Sequence, residues 1–273
     1  MMIGITVLIL LPILTGLTLW KVPEHDDFVP SVMPLWLGMK MMWRNGPFKR
    51  LILAFWLNYT ALAFTTSMFL YYVLFVVQEP KAGILGLSTF YVSNLTAVSF
   101  WVWLSNRIGK HRAWVASLLL ISSVNPLYLI HGPGDFYWML PIMAVTGFSA
   151  GAFAALPNSM KADVIDLDAL RTGEDRAAIY FAVWSFAQKG AMSLAGWMAL
   201  MGLALVGFDP KLGADADQPI WGLKILFGIA PSIFFLGSAW VAWRYPITEE
   251  RHKRLRDSLK RKRARQAAPT VAE

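Results

Sequence analysis

Seven stretches of the chain are almost wholly apolar and long enough to cross a bilayer. They run approximately Ile3–Trp20, Leu51–Val77, Ile84–Leu104, Trp114–Ile130, Tyr137–Leu156, Ile179–Val206 and Ile220–Trp243. A helix needs roughly 20 such residues to span a hydrocarbon core of about 30 Å. None of the runs shows the alternation, over segments of about ten residues, that marks an outer-membrane β-barrel. The pattern predicts an all-α membrane protein with seven transmembrane helices. Residues 1–20 form a lone helix, 21–50 a long loop, 51–243 a six-helix bundle and 244–273 a polar tail.

Composition narrows the function classes. Of 273 residues, 56% are hydrophobic and only 15% charged, against a charged share of about 25% in soluble domains. So little polar surface cannot cover a water-soluble core, which excludes a soluble enzyme. The chain has no cysteine, so disulfides, thiolate catalysis and Cys-based metal sites are excluded together. His25, His111, His131 and His252 are scattered without ligand spacing. No catalytic residue, resident metal or cofactor is expected.

The charges that remain are unevenly placed. Of the 25 Lys and Arg residues, 21 fall in the segments on one side of the seven-span pattern. Only Lys81 and Lys211 fall on the other side, and Lys189 and Lys224 lie inside or at the edge of spans. The basic side is expected to be cytoplasmic, with the N-terminus outside, the C-terminus inside and the protein in a plasma (bacterial inner) membrane. This accounts for the net charge of +8 without a nucleic-acid partner. The tail Glu249–Arg265 reads as a short charged helix, with Glu249/Lys253 and Glu250/Arg254 at i,i+4 spacing. It serves as an orientation signal or touches anionic lipid head groups. Span 1 has no basic segment before it and no small-residue cleavage site after it, so it is expected to be a retained helix.

A lone helix, a long inner loop and a six-helix unit are the pattern left when a twelve-helix transporter is divided before its sixth helix. Specific residues point the same way. The segment Leu156–Arg176, with Asp163, Asp166, Asp168, Arg171 and Arg176, resembles the loop between helices ten and eleven of the glycoside–pentoside–hexuronide:cation symporters. These form the melibiose-permease branch of the major facilitator superfamily. The run Ile179-Tyr180-Phe181 to Gln188-Lys189-Gly190 is similar to that family's helix eleven, including its lysine. Asn45-Gly46-Pro47-Phe48 and Phe69-Leu70-Tyr71-Tyr72-Val73 resemble the ends of helix seven, and Leu104–Arg112 the basic loop between helices eight and nine. The resemblance covers Ile3 to about Arg256 and implies helices six to twelve. It further implies that sodium or protons and a glycoside bind between two six-helix bundles, which rock to alternate access.

All 17 acidic residues fall outside the seven predicted spans. A buried cation site needs a carboxylate at membrane depth, so the coupling-ion site is expected mostly in an N-terminal half. Lys189 is the outstanding intramembrane ionisable residue. Its helical face (Ala182, Ser185, Met192, Ser193, Gly196) is small or weakly polar and suited to a cavity wall. With Ser185 and Gln188 it forms the candidate coupling site, and the resemblance to the family lysine supports this. Asn58, Tyr59 and Asn94 are candidate substrate contacts, because amides and hydroxyls can hydrogen-bond a sugar; ordinary interhelical bonding is the alternative. Asp163, Asp166, Asp168, Arg171, Arg176, Arg107 and Arg112 form a candidate cytoplasmic gate. Gly147, Gly151, Ala187, Ala191 and Ala195 are spaced for close helix approach, and Pro126, Pro141, Pro157 and Pro231 are expected to kink or terminate spans.

The leading expectation is a cation-coupled sugar symporter, or its C-terminal half, with a small-molecule substrate, the bilayer, and an N-terminal half or a second copy as partners. A lysolipid carrier of the same superfamily and a non-transporting fragment are the alternatives. A seven-helix retinal protein is disfavoured, because Lys189 lies in the penultimate span and no intramembrane carboxylate could serve as counter-ion.

Overall fold

The computed structural model describes residues 2–21, 40, 45–172, 176–212 and 218–245, which contain helices and no strand. The chain divides into two units, Met1–Met33 and Pro34–Glu273. In the first, α1 (Met2–Lys21) is a continuous apolar helix with Pro12 in its interior. The expected loop at 22–39 and 41–44, and the tail from 246 onward with its Glu249/Lys253 and Glu250/Arg254 pairs, lie outside the described residues.

The second unit is a helical bundle whose boundaries follow local chemistry. Asn45 caps α2 (Gly46–Tyr71): its side-chain oxygen accepts from the Phe48 backbone N–H at 3.3 Å, and Pro47 occupies the first turn. α2 ends in a π-helical turn, Tyr72–Val77, closed by Gln78 in the left-handed region. Pro80 opens α3 (Pro80–Ile108). Gly109, at φ +93°, makes the turn into α4 (Lys110–Val124), a conformation that glycine adopts without a Cβ penalty. Asn125-Pro126 then tightens the chain into a 3-10 turn, Asn125–Ile130. α5 is Phe136–Thr172 and α6 is Ala177–Leu205. The expected last span is broken at Ile229 into α7 (Ile220–Gly228) and α8 (Ala230–Trp243), because Pro231 lacks the N–H that would continue the helix.

Among the described residues, five stretches are long and apolar enough to cross a membrane: Gly46–Val77, Gly83–Ile108, Lys110–Ile130, Phe136–Ala169 and Ile220–Trp243. α6 is long enough at 29 residues, but Gln188 and Lys189 interrupt its apolar run. Several α1 side chains lie outside the described residues.

The largest difference from expectation is in α5. The segment Leu156–Arg176, read as a loop, is helical as far as Thr172. Met160, Val164 and Leu167 are buried at i, i+4 and i+7, so the helix keeps an apolar face to pack and has no reason to stop. Its 37 residues rise about 55 Å, against a hydrocarbon thickness of about 30 Å. Asp163, Asp166 and Asp168 therefore ride on a helical extension. Pro141 and Pro157 sit inside α5, whereas Pro126 and Pro231 mark breaks.

Most of the closest helix pairs are not neighbours in sequence. α3 lies along α5, α2 packs between α6 and α8, and α4 packs between α5 and α8. Gly147 and Gly151 let α5 approach the α3 backbone: a Cβ at Gly147 would land on the Phe90 carbonyl, and one at Gly151 would stand 2.8 Å from the Asn94 carbonyl. Ser93 Oγ donates to the Ala144 carbonyl (2.6 Å) and Trp101 Nε1 to the Phe148 carbonyl (2.7 Å) along the same seam. One apolar cluster, around Trp114, Tyr180 and Phe55, fills the Lys/Arg-rich end; another, around Tyr72, Tyr128 and Phe227, fills the opposite end.

Candidate functional site

α6 is held to the bundle by one stripe. Tyr180, Trp184, Ala191, Ala195, Ala199 and Leu203 are all buried, and the small alanines bring α6 close to α2. Lys189 lies roughly 200° around the helix from Ala191 at 3.6 residues per turn, so it faces away from this bundle. It is exposed, as are Ser185, Ala182, Met192 and Ser193. It stands about 18 Å from one end of the 29-residue helix and about 24 Å from the other at about 1.5 Å per residue. Among the described residues no carboxylate pairs with it.

The edge of this face is organised by aromatic rings. Gln188 Nε2 donates to Tyr59 Oη at 2.9 Å, tying α6 to α2. Tyr59 packs on Phe55 and Phe153, and Phe55 lies 3.9 Å from Trp184 between ring centroids. Tyr59, Gln188, Ser185 and Lys189 thus belong to one neighbourhood. Asn58 does not. It points into the bundle beside Ser117, Ser149 and Phe235, and its buried Oδ1 has no hydrogen-bond partner. Asn94 stands on α3 where Gly151 of α5 crosses it, half-buried. The six candidates therefore divide into a four-residue group and two separate amides.

The expected gate residues also divide. Lys110 Nζ donates to both Asp163 oxygens, at 2.9 and 2.7 Å, joining the start of α4 to the α5 extension. Arg176 lies 3.9 Å from Asp168 across the turn from α5 to α6. Arg107 and Arg112 are exposed, with the Arg107 guanidinium over the Trp103 ring at 4.8 Å. Asp166 is exposed, and the Arg171 side chain lies outside the described residues. Lys110, absent from the sequence-based gate, is the cation that meets Asp163. Tyr245 closes the end of this cluster; burial, with the nearby Asp163 carboxylate adding to it, pushes its phenol above the ordinary range.

Three features escaped the sequence. Asn45 Nδ2 donates to Tyr180 Oη at 3.1 Å, so the α2 cap also anchors α6. Lys161 is buried, its ammonium 4.2 Å from the Phe181 ring and 4.7 Å from the Trp184 ring. A cavity of about 440 Å³ lies between α2, α3, the 3-10 turn, α5 and α7, with Ile121 of α4 and Phe235 of α8 also in its wall, and is lined mainly by apolar side chains. Asn125 is its buried amide. The argument that singled out Asn58 and Asn94, an amide inside an apolar run, applies equally to Asn125. Among the described residues no group of His, Asp and Glu is arranged to hold a metal ion.

A family model described as MFS/sugar transport protein matches residues 1–249. An uncharacterized symporter of Synechocystis, sll1374, is 25% identical over 85% of this chain and 44% of its own length. The sodium-dependent lysophosphatidylcholine symporter 1-A of Danio rerio is 29% identical over 79% of this chain and 41% of its own. The sphingosine-1-phosphate transporter MFSD2B of Xenopus tropicalis is 25% identical over 85% and 46%. The chain thus spans less than half the length of these curated relatives.

Proposed function

Because the chain belongs to the MFS/sugar transport family, a family of transporters rather than enzymes, we propose that it is one bundle of a cation-coupled secondary transporter. It carries a sugar or glycoside by alternating access, using seven membrane spans with the N-terminus outside and the C-terminus in the cytoplasm of a bacterial inner membrane. The carrying observation is the outward face of α6. Lys189 stands near the middle of the 29-residue α6, exposed, and on the side opposite the packed stripe. Left against hydrocarbon, a lysine at that depth costs about 2.5–3.5 kcal/mol. A second bundle supplying a carboxylate and a wet cavity removes that cost, and the central cavity between two bundles is where such transporters bind their solutes.

In this reading Lys189 competes with sodium or a proton for the partner bundle's carboxylate, which links cation occupancy to substrate release. Tyr59 and Gln188 present an oriented hydroxyl and amide at the rim, with the Phe55–Phe153–Trp184 rings as an apolar floor. Lys110–Asp163 and Arg176–Asp168 hold the cytoplasmic ends of α4, α5 and α6 in one arrangement. Lys110–Asp163 is partly exposed and contributes little stability, which suits a contact that must open and close, whereas Arg176–Asp168 is buried.

A second reading is favoured by one observation: the large cavity of this bundle is predominantly apolar. In it the solute is a lysolipid; the names of two relatives give lysophosphatidylcholine and sphingosine-1-phosphate as the solutes of those proteins. Vesicles containing this chain alone should accumulate neither solute, because one bundle cannot seal both ends of a cavity. Co-expression with an N-terminal bundle of a relative should restore cation-driven uptake. Uptake of a labelled glycoside supports the first reading, and of labelled lysophosphatidylcholine the second. Robust uptake by the monomeric chain alone overturns the two-bundle proposal.

A further inference from the structure

Two arginines meet where the start of α2 reaches the end of α8. Arg50 Nη1 donates to the Arg244 backbone carbonyl at 2.8 Å. Arg244 stands just past the last turn of α8, where helix carbonyls lack an N–H partner of their own and carry partial negative charge. The bond uses one of the five N–H donors of the Arg50 guanidinium. The Arg244 guanidinium lies over the Trp240 ring at 4.3 Å, a cation–π contact that consumes none of its donors. Both residues are exposed, and among the described residues neither pairs with a carboxylate.

The surroundings of the pair decide what anion it meets. α2 and α8 both lie in stretches long and apolar enough to cross a membrane, and the two arginines stand at one shared end of those stretches. Approaching that end, Leu53 of α2 and Ile233, Leu236 and Trp240 of α8 are exposed, and Trp243 is 65% exposed. An exposed apolar strip that ends in tryptophan and then arginine marks a helix leaving hydrocarbon for the head-group layer. Ser238 Oγ donates to the Ala54 carbonyl at 2.7 Å just inside it, so the two helices are joined and the arginines are held on one seam. The phosphates present in bulk at this level are those of the bilayer itself.

We infer that the α2–α8 seam binds the phosphate of an anionic bilayer phospholipid, with the remaining N–H groups of Arg50 and Arg244 as donors. A guanidinium meets two phosphate oxygens at once, which an ammonium does not, so the site reads phosphate geometry as well as charge. The seam shares no residue with the outward face of α6 or with the apolar cavity, so this lipid is a resident one and not the transported solute. The inference needs only that α2 and α8 cross the membrane; it does not depend on which solute is carried.

The test titrates the purified full chain in detergent with palmitoyl-oleoyl phosphatidylglycerol and follows bound lipid by native mass spectrometry. The first phosphatidylglycerol should bind at least about tenfold tighter than phosphatidylcholine. Arg50→Gln and Arg244→Gln should each weaken it about fivefold, the effect of one basic side chain at an anionic surface. Arg244→Gln keeps the backbone carbonyl that Arg50 uses, so it tests the site with the helix contact intact. Arg244→Lys should weaken binding at least about twofold despite its conserved charge. Lys49→Gln, at an exposed position on the same end of α2, should change it by less than about twofold. Equal binding of the two lipids, or a loss in Lys49→Gln as large as in the arginine variants, leaves only diffuse charge attraction and overturns the site. Competition by soluble glycerol phosphate as effective as by lipid overturns the lipid as its occupant. So does binding that appears only in Glu249→Gln/Glu250→Gln, which would put a carboxylate of this chain on the pair. A lowered melting temperature with unchanged lipid binding in Arg50→Gln and Arg244→Gln makes the pair a helix cap and overturns the inference.

Discussion

A single methylene chain and its ammonium decide how this bundle can be used. Lys189 is the residue whose presence a lipid-facing helix cannot explain, and the fold leaves it looking outward with Ser185 beside it. Two substitutions separate a coupling role from a tether. In a completed transporter at matched surface expression, Lys189→Ala should lower cation-driven uptake at least about tenfold, the scale of a coupling between two sites. Lys189→Arg should rescue poorly, because a planar guanidinium does not replace a compact charge in a niche of small residues. Normal coupled uptake in Lys189→Ala removes the assignment. Gln188 belongs to the same neighbourhood but is tied to Tyr59 at 2.9 Å, so it orients the rim and need not meet the cation.

At the level of elements, the seam between α3 and α5 is set by two glycines. A Cβ at Gly147 or Gly151 meets backbone atoms of α3, which cannot rotate aside as a side chain can. Gly147→Ala should therefore cost about 1–3 kcal/mol, the range for overpacking a close contact. Gly196 offers the control on α6: nothing lies within 4 Å of its would-be Cβ. Gly196→Ala should be neutral or stabilising by up to about 1 kcal/mol through helix propensity. Thermal melting in detergent checks both, and equal shifts at the two positions would argue against a tight α3–α5 seam. The α5 extension belongs to the same scale. Met160, Val164 and Leu167 keep it packed beyond membrane thickness, which carries Asp163 to Lys110.

For the molecule as a whole, orientation follows from counting. With 21 of 25 Lys and Arg residues assigned to one side, the positive-inside rule predicts that a reporter fused after Arg265 is cytoplasmic. One inserted at Gly213 should be external. A cytoplasmic signal at Gly213 would contradict the seven-span topology, including α6, whose apolar run is broken by Gln188 and Lys189.

The helices themselves were legible because they are local. Apolar runs of sufficient length must satisfy their backbone internally, and Asn45, Pro80, Gly109 and Pro126 begin or end them by effects that act within a few residues. The place of Lys189 along α6 follows from the same local reading, since it depends only on its position in one run. What tertiary structure decided is which way each side chain faces. Lipid and protein interior are both apolar, so hydropathy does not separate the buried stripe of α6 from its outward face. Nor could it turn Asn58 into the bundle, choose Lys110 over Arg107 and Arg112 for Asp163, or carry α5 through to Thr172. The Asn125 cavity is walled by helices far apart in the chain. Such a space exists only once non-neighbouring helices have packed, so no segment of sequence encodes it alone.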